Sequence, residues 1–420
     1  MMWLITIFFC LSLLVAIWHR FKITSEKYLF TISLLAHWVS AIGVVWLYTV
    51  YYKSGDLLFY QQDLDFLYQS FITNSSTYFN FLTGSNTELV NTLNQTQERS
   101  LFFIRLISIL HILSSGNFYL TCGVLSTLVF LSAQNLISVL NVIIKKDTLA
   151  VNLAFALTPS VVFWSSALLK ESLTLLCLYL LLALAINWPI EKKKRAYTFL
   201  CIILISIVLF KLRYFVFIIF IPLLILLVIW RNKLFTFNHL STTKKVVATI
   251  IVLFLIIACS RLHPNLYLEN IIDVLAYNNL FVQKLSDPGH YFVFENLHLS
   301  NWYFLIYFPL ASFSGMFRPF LWEVNELFPI LLAIENLLLL TLLFAQVYRF
   351  AKTKFSDLKN KYLLLSITYI ITLSGFLTLA TPNFGSLSRY RIVFLPFLVF
   401  WLCYQNPIIN KVFNRFSKAD

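Results

Sequence analysis

Five short polar segments interrupt an otherwise apolar chain, and each carries side chains suited to proton transfer or anion binding. The first is Tyr51-Tyr52-Lys53-Ser54-Gly55-Asp56, followed by Tyr60, Asp63 and Asp65. A carboxylate such as Asp56 can take a proton from a hydroxyl or help hold a divalent cation; it can equally cap the helix that follows it. The second runs from Pro159-Ser160 through Phe163-Trp164-Ser165-Ser166 to Lys170-Glu171. A two-residue turn between apolar runs ordinarily uses Gly, Asn or Ser, so Lys170-Glu171 is either a self-satisfied charged hairpin or a site facing an anion. The third is Lys211-Leu212-Arg213-Tyr214, and the fourth is Phe317-Arg318-Pro319-Phe320-Leu321-Trp322-Glu323. The fifth is Asn383-Phe384-Gly385-Ser386-Leu387-Ser388-Arg389-Tyr390-Arg391. Arginine suits bidentate phosphate recognition, which makes Arg213, Arg318, Arg389 and Arg391 candidates for an anionic ligand, with Lys170 and Lys211 beside them.

What must position these residues is a set of membrane-crossing helices. Of 420 residues, 60% are hydrophobic and 12% charged, and the mean hydropathy is +0.80. Apolar runs of about 20 residues match the thickness of a bilayer. About eleven spans are expected: Trp3–Trp18, Tyr28–Val50, Phe118–Ile144, Thr148–Leu169, Ser172–Pro189, Tyr197–Phe210, Phe215–Trp230, Val246–Ser260, Phe328–Tyr348, Tyr362–Ala380 and Ile392–Tyr404. The expected fold is therefore an all-α polytopic membrane protein, a single transmembrane domain over 1–420. Residues 52–117 form a first outer loop with an interfacial or re-entrant helix near Leu101–Ser115, carrying Arg105 and His111. Residues 261–327 form a second outer loop with an apolar stretch near Trp302–Met316.

Charge sets the orientation. Under the positive-inside rule, 21 of the 32 Lys and Arg fall in cytoplasmic segments and the remaining 11 lie outside, with the N-terminus outside and the C-terminus cytoplasmic. The net charge of +14 is then a topology signal and not a nucleic-acid footprint. All five polar segments fall at outer ends of spans, where cations run against the bias. Glu335 lies deeper and is a functional candidate as an intramembrane acid, with Asn336 as an alternative structural partner. His263, His290 and His298 lack metal-ligand spacing. The six cysteines sit in apolar runs without a pairing framework, and Asn74-Ser75-Ser76 and Asn94-Gln95-Thr96 match a glycosylation pattern common by chance. The first span reads as a retained anchor because its basic residues follow the apolar run. No Gly-rich phosphate loop is present, which argues against nucleotide-driven transport.

With these motifs placed, the chain resembles bacterial polytopic proteins of polysaccharide gene clusters, namely the GT-C superfamily of membrane glycosyltransferases and related exopolysaccharide polymerases. The resemblance rests on Gly55-Asp56 with Tyr60, on Phe163-Trp164-Ser165-Ser166 with Lys170-Glu171, on Arg318-Pro319-Phe320 with Trp322-Glu323, and on Gly385-Ser386 with Arg389-Tyr390-Arg391. It implies a multi-pass enzyme of the bacterial cytoplasmic membrane that takes a polyprenyl-linked sugar donor and a saccharide acceptor, with membrane lipids and no nucleic acid as further partners. Asp56 and Glu323 would be the catalytic carboxylates. Lys170, Arg213, Arg318, Arg389 and Arg391 would hold the phosphate, supported by Glu171, Tyr60 and Lys211. Many members carry paired acids in the first loop; here Leu57 follows Asp56, so a divalent metal lacks its usual ligands. A flippase or transporter of lipid-linked saccharides is the alternative, and a non-catalytic subunit of a larger complex is a third reading. Asp56, Lys170, Arg213, Arg318, Glu323, Arg389 and Arg391 are expected to converge on one cavity, because a lone charge at the hydrocarbon edge is costly.

Overall fold

The computed structural model describes residues 2–144, 147–189, 191–231, 257, 260–267, 269–286, 291–294, 297, 301–353 and 361–416. Outside them lie Lys145-Lys146, Lys233, nearly all of the expected span Val246–Ser260, Asp287-Pro288-Gly289, His290, His298, most of the basic segment before Lys361, and Asp420. Among the described residues every named element is a helix. The single extended pairing there is an isolated antiparallel bridge between Tyr291 and Asn383.

Among the described residues six helices are long and apolar enough to cross a membrane. They are α1 (Met2–Ile23), α2 (Lys27–Trp46) with the π-helical turn Leu47–Tyr52 that extends it, α7 (Phe118–Ile144), α11 (Lys192–Arg231), α14 (Leu327–Lys352) and α15 (Lys361–Ala380). Two bent pairs raise the number to eight if each is one span. In one, α8 (Thr148–Asn152) and a π turn to Leu157 meet α9 (Pro159–Ser165) at 40°. In the other, α16 (Phe384–Tyr390) and the turn Arg391–Val393 meet α17 (Leu395–Cys403) at 70°.

The multi-pass helical build stands, and among the described residues, which leave out nearly all of the expected span Val246–Ser260, the helices differ from the expected bounds for local reasons. The expected pair Tyr197–Phe210 and Phe215–Trp230 forms one helical run of 40 residues, interrupted only at Arg213 (φ −148°, ψ 77°). Its apolar stretch Lys193–Ile229 spans 37 residues, which at 1.5 Å each is about 55 Å, nearly twice the hydrocarbon core. The break at Arg213 therefore falls where a second crossing would have to begin. The helix α10 (Lys170–Ile186) has 17 residues, slightly short of the usual span.

The described contacts divide into two compact units. The first comprises Met1–Ser138, Val161–Leu181 and Ile207–Arg213. Within it, residues 52–117 are folded into α3 (Asp56–Thr73), α4 (Ser75–Thr83), α5 (Thr87–Asn91) and α6 (Glu98–Leu113). Along α3, Leu57, Tyr60, Leu64 and Leu67 are buried, a three-four-three spacing that makes one apolar face. It packs on α6, where the Tyr60 and Phe103 rings lie 4.9 Å apart. Asn74 caps α4, accepting from the amides of Ser76 and Thr77, and Gly84 closes it in the left-handed conformation (φ 85°). Buried Asp63 pins the turn before α6 by accepting from the Asn94 amide (2.8 Å), Asn94 Nδ2 (2.9 Å) and the Gln95 amide (3.2 Å).

The second unit comprises Val139–Ser160, Leu182–Ser206 and Tyr214–Asp420. Within it α13 (Asn301–Phe317) and α15 cross closely. A Cβ added to Gly375 would lie 2.5 Å from Ser312 Oγ and 2.7 Å from the Phe308 ring, and one added to Gly315 would lie 3.0 Å from the Ser374 carbonyl. Small residues at both faces let the backbones approach, the usual route to helix association in lipid. Within the same unit α12 (Ile271–Lys284) is tied to the end of α15 by Asn279 Nδ2, which donates to the Leu379 carbonyl at 2.7 Å.

Candidate functional site

In the first unit the chain reaches Asp56 through three departures from α geometry: the π turn Leu47–Tyr52, Lys53 at φ 53° and Gly55 at φ 116°. A Cβ on Gly55 would stand 2.8 Å from the Tyr48 ring, so both the backbone angle and the space require glycine. π turns are rare and concentrate at functional sites. This path makes Asp56 the first residue of α3, with Tyr60 one turn later on the same face. Lys170 begins α10, and its Nζ donates to Ser100 Oγ (3.1 Å) and lies 5.9 Å from the centre of the Tyr60 ring. Glu171, 2% exposed, accepts from Arg213 Nη2, whose side chain is 10% exposed. The non-helical backbone at Arg213 turns its side chain into this pair.

Electrostatics bind the group together. Burial, then the Arg213 guanidinium, pushes the Lys170 ammonium down to about 8, against opposing pulls from Glu171 and Asp56. Arg99 adds to the same field. Burial, followed by the Asp56 carboxylate, raises the Tyr60 hydroxyl well above the ordinary phenol range. Among the described residues Ser100 is the sole hydrogen-bond acceptor for Lys170, although an ammonium carries three donors. The cluster therefore offers a half-buried carboxylate at Asp56 and a cation with donors to spare beside it. It gathers Asp56, Lys170 and Arg213, three of the seven residues expected to converge, together with Tyr60 and Glu171 of the supporting set. Arg99 and Ser100 were missed by the sequence reading; Arg99 carried the same signal, a cation on the face where cations are disfavoured.

The expected residues of the second unit are engaged with each other. Arg318 forms a two-pronged ion pair with Glu323, with Nε 3.0 Å from Oε2 and Nη2 on Oε1, and Glu323 also accepts from the Phe320 amide (2.8 Å). The Arg318 guanidinium lies 4.3 Å from the Phe292 ring centre, within a cage completed by Phe320 and Phe384. Arg389 is half-buried and contacts the Tyr390 hydroxyl (3.2 Å). Arg391, expected at an accessible interface, is 1% exposed. Its Nη1 donates to Asn336 Oδ1 (2.6 Å), its Nη2 stands 3.9 Å from Glu335 Oε1, and Nε lacks a hydrogen-bond partner among the described residues. Asn336 Nδ2 in turn donates to the Pro319 carbonyl (3.0 Å). Glu335 accepts from the Ser160 amide (3.1 Å) and hydroxyl (2.7 Å), just after the Thr158-Pro159 break. The acid thus finds its partners in Ser160 and Arg391, while Asn336 serves the arginine instead.

Other expected residues take structural places. His263 stacks on Tyr214 at 3.8 Å and accepts from the Asn265 amide (3.1 Å). His111 sits between Thr121 Oγ1 (2.9 Å) and Asp65 (3.2 Å), and burial holds it below the ordinary imidazole range despite Asp65. Arg105 lies over the Phe81 ring (5.2 Å), and Lys211 is exposed. Among the described residues no group of three or more His, Cys, Asp or Glu could hold a metal ion. No family model, curated protein or solved structure matches the chain.

Proposed function

We propose that the chain is a membrane glycosyltransferase or polysaccharide polymerase that uses a polyprenyl phosphate- or diphosphate-linked sugar at the outer face of the bacterial cytoplasmic membrane. The observation that carries this reading is the meeting of Asp56, Tyr60, Lys170, Glu171 and Arg213 in one electrostatic cluster, from sequence positions more than a hundred residues apart. In the proposed reaction Asp56 takes the proton from an acceptor hydroxyl as that oxygen attacks the sugar's anomeric carbon. The bond to the lipid phosphate breaks, and the departing phosphate is stabilised by Lys170 and Arg99. Glu171 fixes Arg213 in the wall of the site. Arg318, Glu323 and Arg391 have protein partners within the second unit.

General-base catalysis is worth about 10²–10⁴-fold. Asp56→Asn should therefore lower transfer from a lipid-linked donor at least about 100-fold in membranes, with unchanged expression. Full activity in that variant would remove the assignment. The alternative, a flippase or transporter of lipid-linked saccharides, draws support from the Glu335–Arg391 pair beside two bent spans, since transporters place charges at discontinuous helices. Movement of a labelled lipid-linked sugar across vesicles without a new glycosidic bond would favour it.

A further inference from the structure

The second unit contains an apolar cavity of about 430 Å³, within the range of ligand sites. Its floor is made by Phe155, Phe220, Tyr369 and Phe397, all buried, and its mouth by Ile143 (48% exposed) and Tyr362 (43% exposed). Water is a poor occupant, because a buried water needs two to four polar partners and those at hand are committed. Ser366 Oγ donates to the Leu363 carbonyl (2.8 Å) and Tyr369 OH donates to the Val393 carbonyl (2.9 Å). Left empty, the cavity would forfeit packing contacts along its whole lining.

The lining also has a constant address in the sequence. Ile143 comes two residues before Lys145-Lys146, and Tyr362 directly follows Lys361. Tyr404 lines the same cavity, and its carbonyl and the adjacent Gln405 are bonded to Gln346 and Arg349: Gln346 Nε2 donates to the Tyr404 carbonyl (3.0 Å) and Arg349 Nη1 to Gln405 Oε1 (2.9 Å). Arg349 also shares its field with Asp147. Residues lining the apolar space thus adjoin basic segments in the sequence, a pattern that matches one hydrocarbon tail below one anionic headgroup.

We propose that this cavity binds an acyl chain of an anionic phospholipid from the leaflet that the basic span ends face. The proposal rests on the chain crossing a bilayer and not on the transfer reaction, so its failure leaves Asp56 untouched. The test is native mass spectrometry of the full chain released from vesicles of equal parts phosphatidylglycerol and phosphatidylcholine with identical acyl chains. Wild type should retain one phosphatidylglycerol per chain. Leu224→Trp, which fills the cavity from a buried lining position, should reduce retention at least tenfold. Ile143→Trp narrows the mouth from an exposed position and should do the same without disturbing the core. Equal retention in a folded variant, or no preference for phosphatidylglycerol, would overturn the proposal. So would retention of a prenyl phosphate, supplied as a third vesicle component, in place of the phospholipid.

Discussion

Glu171→Gln isolates the charge balance of the first cluster. The substitution keeps the shape of the side chain and removes its charge, leaving the Arg213 guanidinium buried next to Lys170. Glu171 and Arg213 are 2% and 10% exposed, so solvent supplies little compensation. Removing one member of a buried pair typically costs about 3–5 kcal/mol, a large part of the roughly 5–15 kcal/mol that holds a domain together. The assay is SDS- or heat-induced unfolding in mixed micelles, followed by tryptophan fluorescence. Replacing both members, in Glu171→Leu/Arg213→Met, should recover much of the loss, because an apolar pair of similar volume often replaces a buried ion pair without penalty. A single variant within about 1 kcal/mol of wild type, the ceiling of exposed pairs, would refute the reasoning. It would mean that a group other than Glu171 balances Arg213.

Other expectations follow from the same geometry. Because Lys170 titrates near 8 when folded and its ordinary value is 10.5, the folded state binds fewer protons between those values, and its contribution to stability rises with pH across that window. Affinity for an anionic lipid phosphate should fall over the lower part of the same window as the ammonium loses its proton. Lys170→Arg should abolish that fall in a pH series of binding measurements. Gly375→Leu should drive α13 and α15 apart at Ser312 and Phe308 and cost about 1–3 kcal/mol or more in thermal unfolding, with Gly375→Ala milder. Asn336→Leu should strip both Arg391 Nη1 and the Pro319 carbonyl of a partner and cost about 1–3 kcal/mol, read by the same unfolding assay, with transfer activity retained after correction for folded protein.

The membrane-spanning architecture was legible in the sequence because hydrocarbon thickness imposes a length and composition that need no tertiary information. Gly55, the Pro159 break and the hairpin charges at Lys170-Glu171 and Arg213 were visible as well, since each violates the local preference of its surroundings. Partnership was not legible. Arg391 and Arg318 carry the same anti-bias signal as Lys170, yet Arg391 is buried on Asn336 and Arg318 is closed on Glu323, whereas Lys170 keeps donors open. Sequence records that a charge stands at the hydrocarbon edge. Which opposite charge or dipole meets it depends on contacts such as Arg391–Asn336, Lys170–Ser100 and Arg213–Glu171, between residues tens of positions apart, and these arise only when helices pack. The expected spans differ from the described helices for a related reason: hydropathy places a turn at Lys211–Tyr214, but that the helix runs on through it with one non-helical residue, Arg213, paired with Glu171, is decided by packing.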